Sequence, residues 1–265
     1  MPSATSASAH RHGSDLDGIR VLVTGATSGL GAAMAAALAA AGARVMVTSR
    51  VQSRAETTAR ELGSPAIPAQ LDVRDERSVA ACVDRARDAW GGIDMLVNNA
   101  GIGMLTVNPR FMSEPQAFWE VTPAGFRDVM ETKVVGCFLV ARAVVPLMLR
   151  QGGGRVVNIS MNEQTMIRRG FVPYGPAGAG VEALSRVMAA DLAGTPVTVN
   201  LLLPGGATRT GMLPDEAPAE VRAALLDPAI MGPPIVWLAS DQSAGVHDRR
   251  IVATEYCAGG GARPR

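Results

Sequence analysis

The stretch VLVTGATSGLG, Val21 to Gly31, sets the tightest limit on how this chain can fold. A short apolar run stops at Gly25, and an alanine-rich stretch with helical propensity starts at Gly29. Glycines at 25, 29 and 31 permit a tight turn and let the N–H groups at a helix start approach a bound pyrophosphate. A glycine triplet alone also serves ordinary turns, so its surroundings decide. Strand-like runs (RVMVTSR, AIPAQLDV, IDMLVNNAG, GRVVNIS, VTVNLLLPG) alternate with helical ones (SRAETTARELG, DERSVAACVDRARDAWG, a block from about Thr122 to Arg150, and YGPAGAGVEALSRVMAADLAG). That rhythm predicts an α/β fold, a single Rossmann-type doubly wound parallel sheet with helices on both faces.

The 265 residues are 48% hydrophobic and 18% charged, enough for one sizeable core. No repeat or linker divides them. The reading is a disordered leader over 1–16, without the apolar region of a secretory signal, and one dinucleotide-binding catalytic domain over 17–265. A net charge of +1 gives no reason to expect nucleic acid as a partner. Apolar runs break at Gly, Pro or charge before reaching a membrane span, with GCFLVARAVVPLMLR the longest, so no membrane partner and a cytoplasmic location are expected. Cys82, Cys137 and Cys257 show no paired spacing and read as free thiols; His10, His12 and His247 are too dispersed for a metal site. Two stretches break the rhythm, Ile102–Val121 and Pro204–Pro234. Both follow strands, where doubly wound folds build their ligand crevice.

The spacing T-G-x-x-x-G-x-G resembles that of the short-chain dehydrogenase/reductase family. Asp72-Val73 after the third strand, NNAG (Asn98–Gly101) after the fourth, Tyr174 heading a helix and PGGATRT after the sixth strand agree in order. The resemblance implies nicotinamide-cofactor binding and alcohol–carbonyl interconversion. It assigns Gly25, Ser28, Gly29, Leu30 and Gly31 to the pyrophosphate and adenosine ribose, Asp72 and Val73 to the adenine, and Asn98, Ala100 and Gly101 to the cofactor's neighbourhood. Pro204, Gly205 and Thr208 would approach the nicotinamide. Asn98 also reads as a brace between strands. It further implies a homo-tetramer or homo-dimer. At the end of the second strand, Ser49 stands where an acid would bond the 2′-hydroxyl of NAD, and Arg50 follows. A guanidinium there suits a 2′-phosphate, so NADP(H) is expected over NAD(H).

The family's active site combines Asn, Ser, Tyr and Lys, and here only the tyrosine matches. Four residues beyond Tyr174 stands Gly178 in place of lysine. The serine position falls on Met161; Ser160 would point to the opposite face unless the strand bulges, and Asn162 is the nearest polar alternative. The asparagine position is Lys133, the chain's sole lysine, which reads either as a solvated helix residue or as a cation reaching the space Gly178 vacates. An unassisted tyrosine has a pKa near 10 and is a poor base at neutral pH, yet as a neutral phenol it can protonate an alkoxide. Lys133, Arg168 or Arg169 nearby would lower that pKa.

Three readings follow. The first is NADP(H)-dependent reduction of a carbonyl on an apolar small molecule, with Tyr174 as proton donor and Met104, Phe111, Phe118, Trp119, Met166 and Met212 as candidate pocket residues. The second is a non-redox catalyst on the same fold (cyclisation, dehydration or isomerisation). The third is a non-catalytic nucleotide-binding protein.

Overall fold

The computed structural model describes residues 16–63, 65–214 and 219–256. The leader lies outside them except for Leu16, as does Cys257. Leu16 is not leader: it is 1% exposed in the core, and its N–H donates to Ala41 O at 2.9 Å.

Seven parallel strands form one sheet: β1 (Arg20–Val23), β2 (Arg44–Ser49), β3 (Ile67–Gln70), β4 (Met95–Asn98), β5 (Gly154–Ile159), β6 (Val197–Leu203) and β7 (Arg249–Val252). Their order is β3-β2-β1-β4-β5-β6-β7. The alternation of side chains along a strand divides the core in two. Val21, Val23, Val45, Val47 and Val97 face one cluster, shared with α1 (Gly29–Ala40) and α9 (Gly232–Ala239). Leu22, Met46, Leu96, Val156 and Val199 face the other, against α3 (Glu76–Trp90), α5 (Gly136–Gln151) and α7 (Tyr174–Asp191). Strands buried on both faces read as continuous apolar runs, which is why the sequence shows them so clearly. The strand order reverses direction between β1 and β4, and the carboxyl ends of those two strands open the crevice.

α4 (Pro123–Met130) begins with Thr122 Oγ1 accepting from the Gly125 N–H, and continues through a π-helical turn at Glu131–Val135 into α5. The charges at Lys133 and Arg142 do not interrupt it. The 29-residue helix Pro123–Gln151, with a mean hydropathy of 1.8 in its most apolar stretch, is long and apolar enough to cross a bilayer by length and composition. Half of that stretch is buried inside the fold, where Val140, Val144 and Met148 join the second cluster. It is a core helix, and its bounds match the helical block read from the sequence.

The two irregular stretches hold only short elements, with 3-10 turns at Met104–Thr106 and Phe118–Glu120 in the first. The second carries α8 (Ala219–Ala223), the 3-10 turn Pro228–Met231 and the start of α9. Tyr256 follows the 3-10 turn Ala253–Glu255 beyond β7 and packs against Trp237, ring centroids 5.8 Å apart.

Candidate active site

The glycine loop is held from β4. Thr24 Oγ1 accepts from the Asn99 and Ala100 N–H groups, both at 2.9 Å, which ties the ends of β1 and β4 together. Asn99 Nδ2 donates to the carbonyls of Thr24 and Gly25 at 3.0 Å each. Gly25 (φ +64°) and Gly29 (φ +53°) take left-handed conformations that glycine adopts without strain. At Gly31 the demand is space, since a Cβ would run into the Gly25 carbonyl and Asn99 Nδ2. Gly31→Ala should therefore abolish nucleotide binding and lower stability by about 1–3 kcal/mol, read by cofactor titration and a thermal melt. Ser28, exposed at the N-cap of α1, makes no side-chain cap bond. The first N–H groups of α1 have no partner within the helix, and an anion would satisfy them. Leu30 packs half-buried against the first core cluster.

At the ends of β2 and β3, Ser49 Oγ accepts from the Val51 N–H, and Arg50 is exposed with no hydrogen bond or ion pair from its guanidinium among the described residues. The Asp72 carboxylate is committed to Arg74, with bonds from Nε at 3.0 Å and Nη2 at 2.8 Å, and Arg74 holds it below the usual carboxylate range. Val73 is 5% exposed and packs where a Cβ on Gly136 would stand 2.5 Å from its Cγ2.

Tyr174 opens α7 within an apolar cluster of Met104, Phe111 and Phe171. Its hydroxyl meets only the Met212 sulfur, at 3.9 Å, and burial pushes its pKa up. The net shift is upward, against the sequence expectation, and Arg168 stacks on Phe171 instead, 4.7 Å from the ring centroid. Phe118 and Trp119 are 67% and 74% exposed, packed on each other rather than into this cluster.

Lys133 is not a solvated helix lysine. It lies along Gly101, where a Cβ would stand 3.3 Å from its Nζ, and Nζ sits 5.0 Å from the centroid of the Tyr174 ring. The ammonium thus approaches the ring face. Burial depresses its pKa from 10.5 to about 8. At Gly178 a Cβ would be 2.6 Å from the Met161 Cε, so the methionine side chain lies against this glycine. The thioether therefore occupies the ground beside α7 at the position where a lysine stem would start.

Ser160 is withdrawn from the site. It is 6% exposed and donates to Glu182 Oε1 at 2.6 Å, while Arg250 bonds the same carboxylate oxygen at 2.9 Å and the Met161 carbonyl at 3.1 Å. No bulge returns it to the tyrosine side. Asn162 ties the ends of β5 and β6 through Nδ2 to Gly205 O at 2.9 Å. Asn98 does brace the strands, donating to Asn158 Oδ1, and Asn158 continues to Ser185 of α7. Pro204 is buried, and Gly205 (φ +93°) lets the chain turn under Thr254 and Val252. Thr208 turns its hydroxyl to Gly206 O, whereas Thr210, which sequence reasoning passed over, packs where a Cβ on Gly29 would stand 3.1 Å from its Cγ2. Asn99 was the other omission, legible only as the second letter of NNAG. Among the described residues no group of His, Cys, Asp or Glu could hold a metal ion.

A glycine loop at the β1/β4 switch point, on a seven-stranded parallel sheet, defines a dinucleotide-binding α/β protein. The short chain dehydrogenase model matches residues 20–220, and the chain belongs to the short-chain dehydrogenase/reductase family. It is 34% identical to a 3-oxoacyl-[acyl-carrier-protein] reductase of Vibrio cholerae over 87% of this chain and 93% of that protein. To a cis-4-hydroxycyclohexanecarboxylate dehydrogenase of Sinomonas cyclohexanicum it is 36% identical over 85% and 90%. A crystal structure of 3-ketoacyl-(acyl-carrier-protein) reductase from Brucella melitensis, complexed with NADH, superposes with a TM-score of 0.79 at 28% identity, covering 89% of this chain and 97% of that one.

Proposed function

We propose that the protein reduces a carbonyl on an apolar small molecule with NADPH, using Tyr174 as proton donor. The observation that carries this reading is the half-buried neutral phenol of Tyr174, its hydroxyl unclaimed except by a weak sulfur contact, packed against the apolar cluster of Met104, Phe111 and Phe171. The relatives named as a reductase and an alcohol-oxidising dehydrogenase support alcohol–carbonyl chemistry. The residues present fit a nicotinamide dinucleotide, because the uncapped α1 start and the space kept by Gly31 suit a pyrophosphate. That cofactor would supply hydride to the carbonyl carbon. Tyr174 would give its proton to the carbonyl oxygen as charge develops there, and Met212 must yield for a substrate to reach the hydroxyl. Lys133 serves as a cation on the ring face, in place of the family's lysine. Asn162 supports the floor of the site through Gly205 and does not act on substrate.

Arg50, exposed beside Ser49, is the proposed anchor of the 2′-phosphate. Arg50→Ala should weaken NADPH binding about tenfold or more and leave NADH binding nearly unchanged, the worth of one charge-assisted hydrogen bond. Fluorescence titration of both cofactors measures it, and equal losses would end the assignment. Phe126, Val135, Phe138 and Leu149 on the α4–α5 helix and Val187 on α7 are exposed apolar residues, and we assign them to contacts between copies in a homo-tetramer or homo-dimer. The deciding test of function follows nicotinamide absorbance over a panel of apolar ketones. NADPH binding without oxidation on any of them would favour the non-redox reading.

A further inference from the structure

Against Lys133 lies a cavity of about 10 Å³ whose polar wall is Thr24, Asn98, Thr132, Cys137 and Lys133 itself. Two of these carry unanswered hydrogen-bonding groups. Asn98 is 7% exposed, and although its Nδ2 is bonded to Asn158, its Oδ1 has no donor. Lys133 Nζ rests on the Tyr174 ring without a hydrogen bond or ion pair among the described residues. The other hydroxyls are engaged. Thr24 accepts from two N–H groups and donates to Val97 O, and Thr132 donates to Asp128 O at 2.7 Å. A buried acceptor left bare costs its full desolvation, and an ammonium left bare costs more. The volume is that of one water molecule, and the walls offer the polar partners such a water needs.

We propose that one internal water sits here, accepting from Lys133 Nζ and donating to Asn98 Oδ1, which makes Asn98 the positioning residue for the Lys133 ammonium. No carboxylate faces the cavity. Tyr174 on α7 and Cys137 on α5 are the titratable groups against Lys133, while β1, β4 and β5 bring only the uncharged Thr24, Asn98 and Ile159. Asp128 and Glu131, earlier on the same helix, are exposed. Burial pushes the Cys137 thiol up to about 12, so it supplies no counter-charge. The water is then the polar acceptor that the cavity offers the ammonium, and it holds the cation against Tyr174. That catalytic consequence rests on the proposed role of Tyr174; the water itself does not.

Because Lys133 is the only lysine, protein labelled with ¹³C,¹⁵N-lysine reports its titration through a single side-chain signal. The cofactor-free full chain is used. A crystal structure that resolves waters should show a peak about 2.7–3.2 Å from both Asn98 Oδ1 and Lys133 Nζ. Asn98→Ala would also break the brace to Asn158 and could unfold the sheet. Cys137→Val is therefore the working variant, since it crowds the cavity and leaves Asn98 intact. It should lower the Lys133 pKa by about one unit, a tenfold loss of proton affinity. An empty cavity, a water out of reach of either atom, or an unmoved Lys133 pKa overturns the proposal. Failure to reduce carbonyls would leave both readouts intact and would bear on Tyr174 alone.

Discussion

Tyr174→Phe is expected to leave cofactor affinity unchanged and to cut carbonyl reduction by roughly 10²-fold or more, the usual scale of general acid catalysis. The substitution removes one oxygen from a ring held on three sides. Phe171 packs edge-on at 6.5 Å, Lys133 lies on its face, and Met212 covers the hydroxyl. Nothing structural depends on that oxygen, because its single partner is a weak sulfur acceptor. A fall in turnover without a fall in melting temperature therefore isolates the proton transfer. The pH profile adds a sign. Burial raises the phenol's pKa above its ordinary value of 10, so the neutral donor persists through the physiological range. Reduction should not decline through tyrosine ionisation below about pH 10, whereas alcohol oxidation, which needs tyrosinate, should climb steadily with pH. A Phe variant that reduces ketones at the parent's rate would place the acid elsewhere.

What could be read from the chain was whatever local chemistry dictates. Continuous apolar runs such as RVLV mark strands covered on both faces, and the glycines of the first turn are set by backbone conformation and close approach, so both are visible residue by residue. Side-chain direction is not. Lys133 reaches Tyr174 from the π-helical turn at Glu131–Val135, whose extra residue per turn breaks the angular register that an α-helical wheel assumes. The sequence shows Gly178 vacating space, but what fills that space lies on another element, the thioether of Met161. Thr208 and Thr210 are two residues apart in an irregular loop, and only the path of that loop decides which meets Gly29. Leu16 stood in a serine- and alanine-rich segment, and a single buried side chain gives no periodicity to detect. The short stretch after Pro204 had the opposite fault. Its prolines suggested loop throughout, yet Pro233 and Pro234 open α9, where a missing N–H costs nothing.

Lys133→Met should stabilise the fold and damage the reaction together. The pKa of Lys133 falls from 10.5 to about 8 on folding, so at pH 7 the chain carries a buried ammonium it holds less well than the unfolded chain does. By linkage that penalty is complete below about pH 8, fades as pH rises towards 10.5, and is gone beyond it. At pH 7 it amounts to at most about 3 kcal/mol, less for the part of the side chain that faces the open cleft. Urea melts of parent and variant should thus differ most at pH 7 and converge by about pH 10.5. A stability gain that does not shrink with pH would show that folding leaves the Lys133 pKa unshifted and that the gain comes from packing. Turnover should move the other way, since a methionine offers no charge against the Tyr174 ring. With the Lys133 charge assisting Tyr174, the parent's rate should inflect near pH 8, where that charge titrates, and the variant's should not. Gly178→Lys added alone to that variant should not restore activity, because the new stem meets Met161. Only Met161→Ser clears its path and supplies a hydroxyl on the same face. The combination Lys133→Asn, Met161→Ser, Gly178→Lys should then reduce ketones at least as well as Lys133→Met does, with its rate no longer inflecting near pH 8. A chain that gains reductive activity only in that combination, from a parent with none, would instead be one that had left redox chemistry.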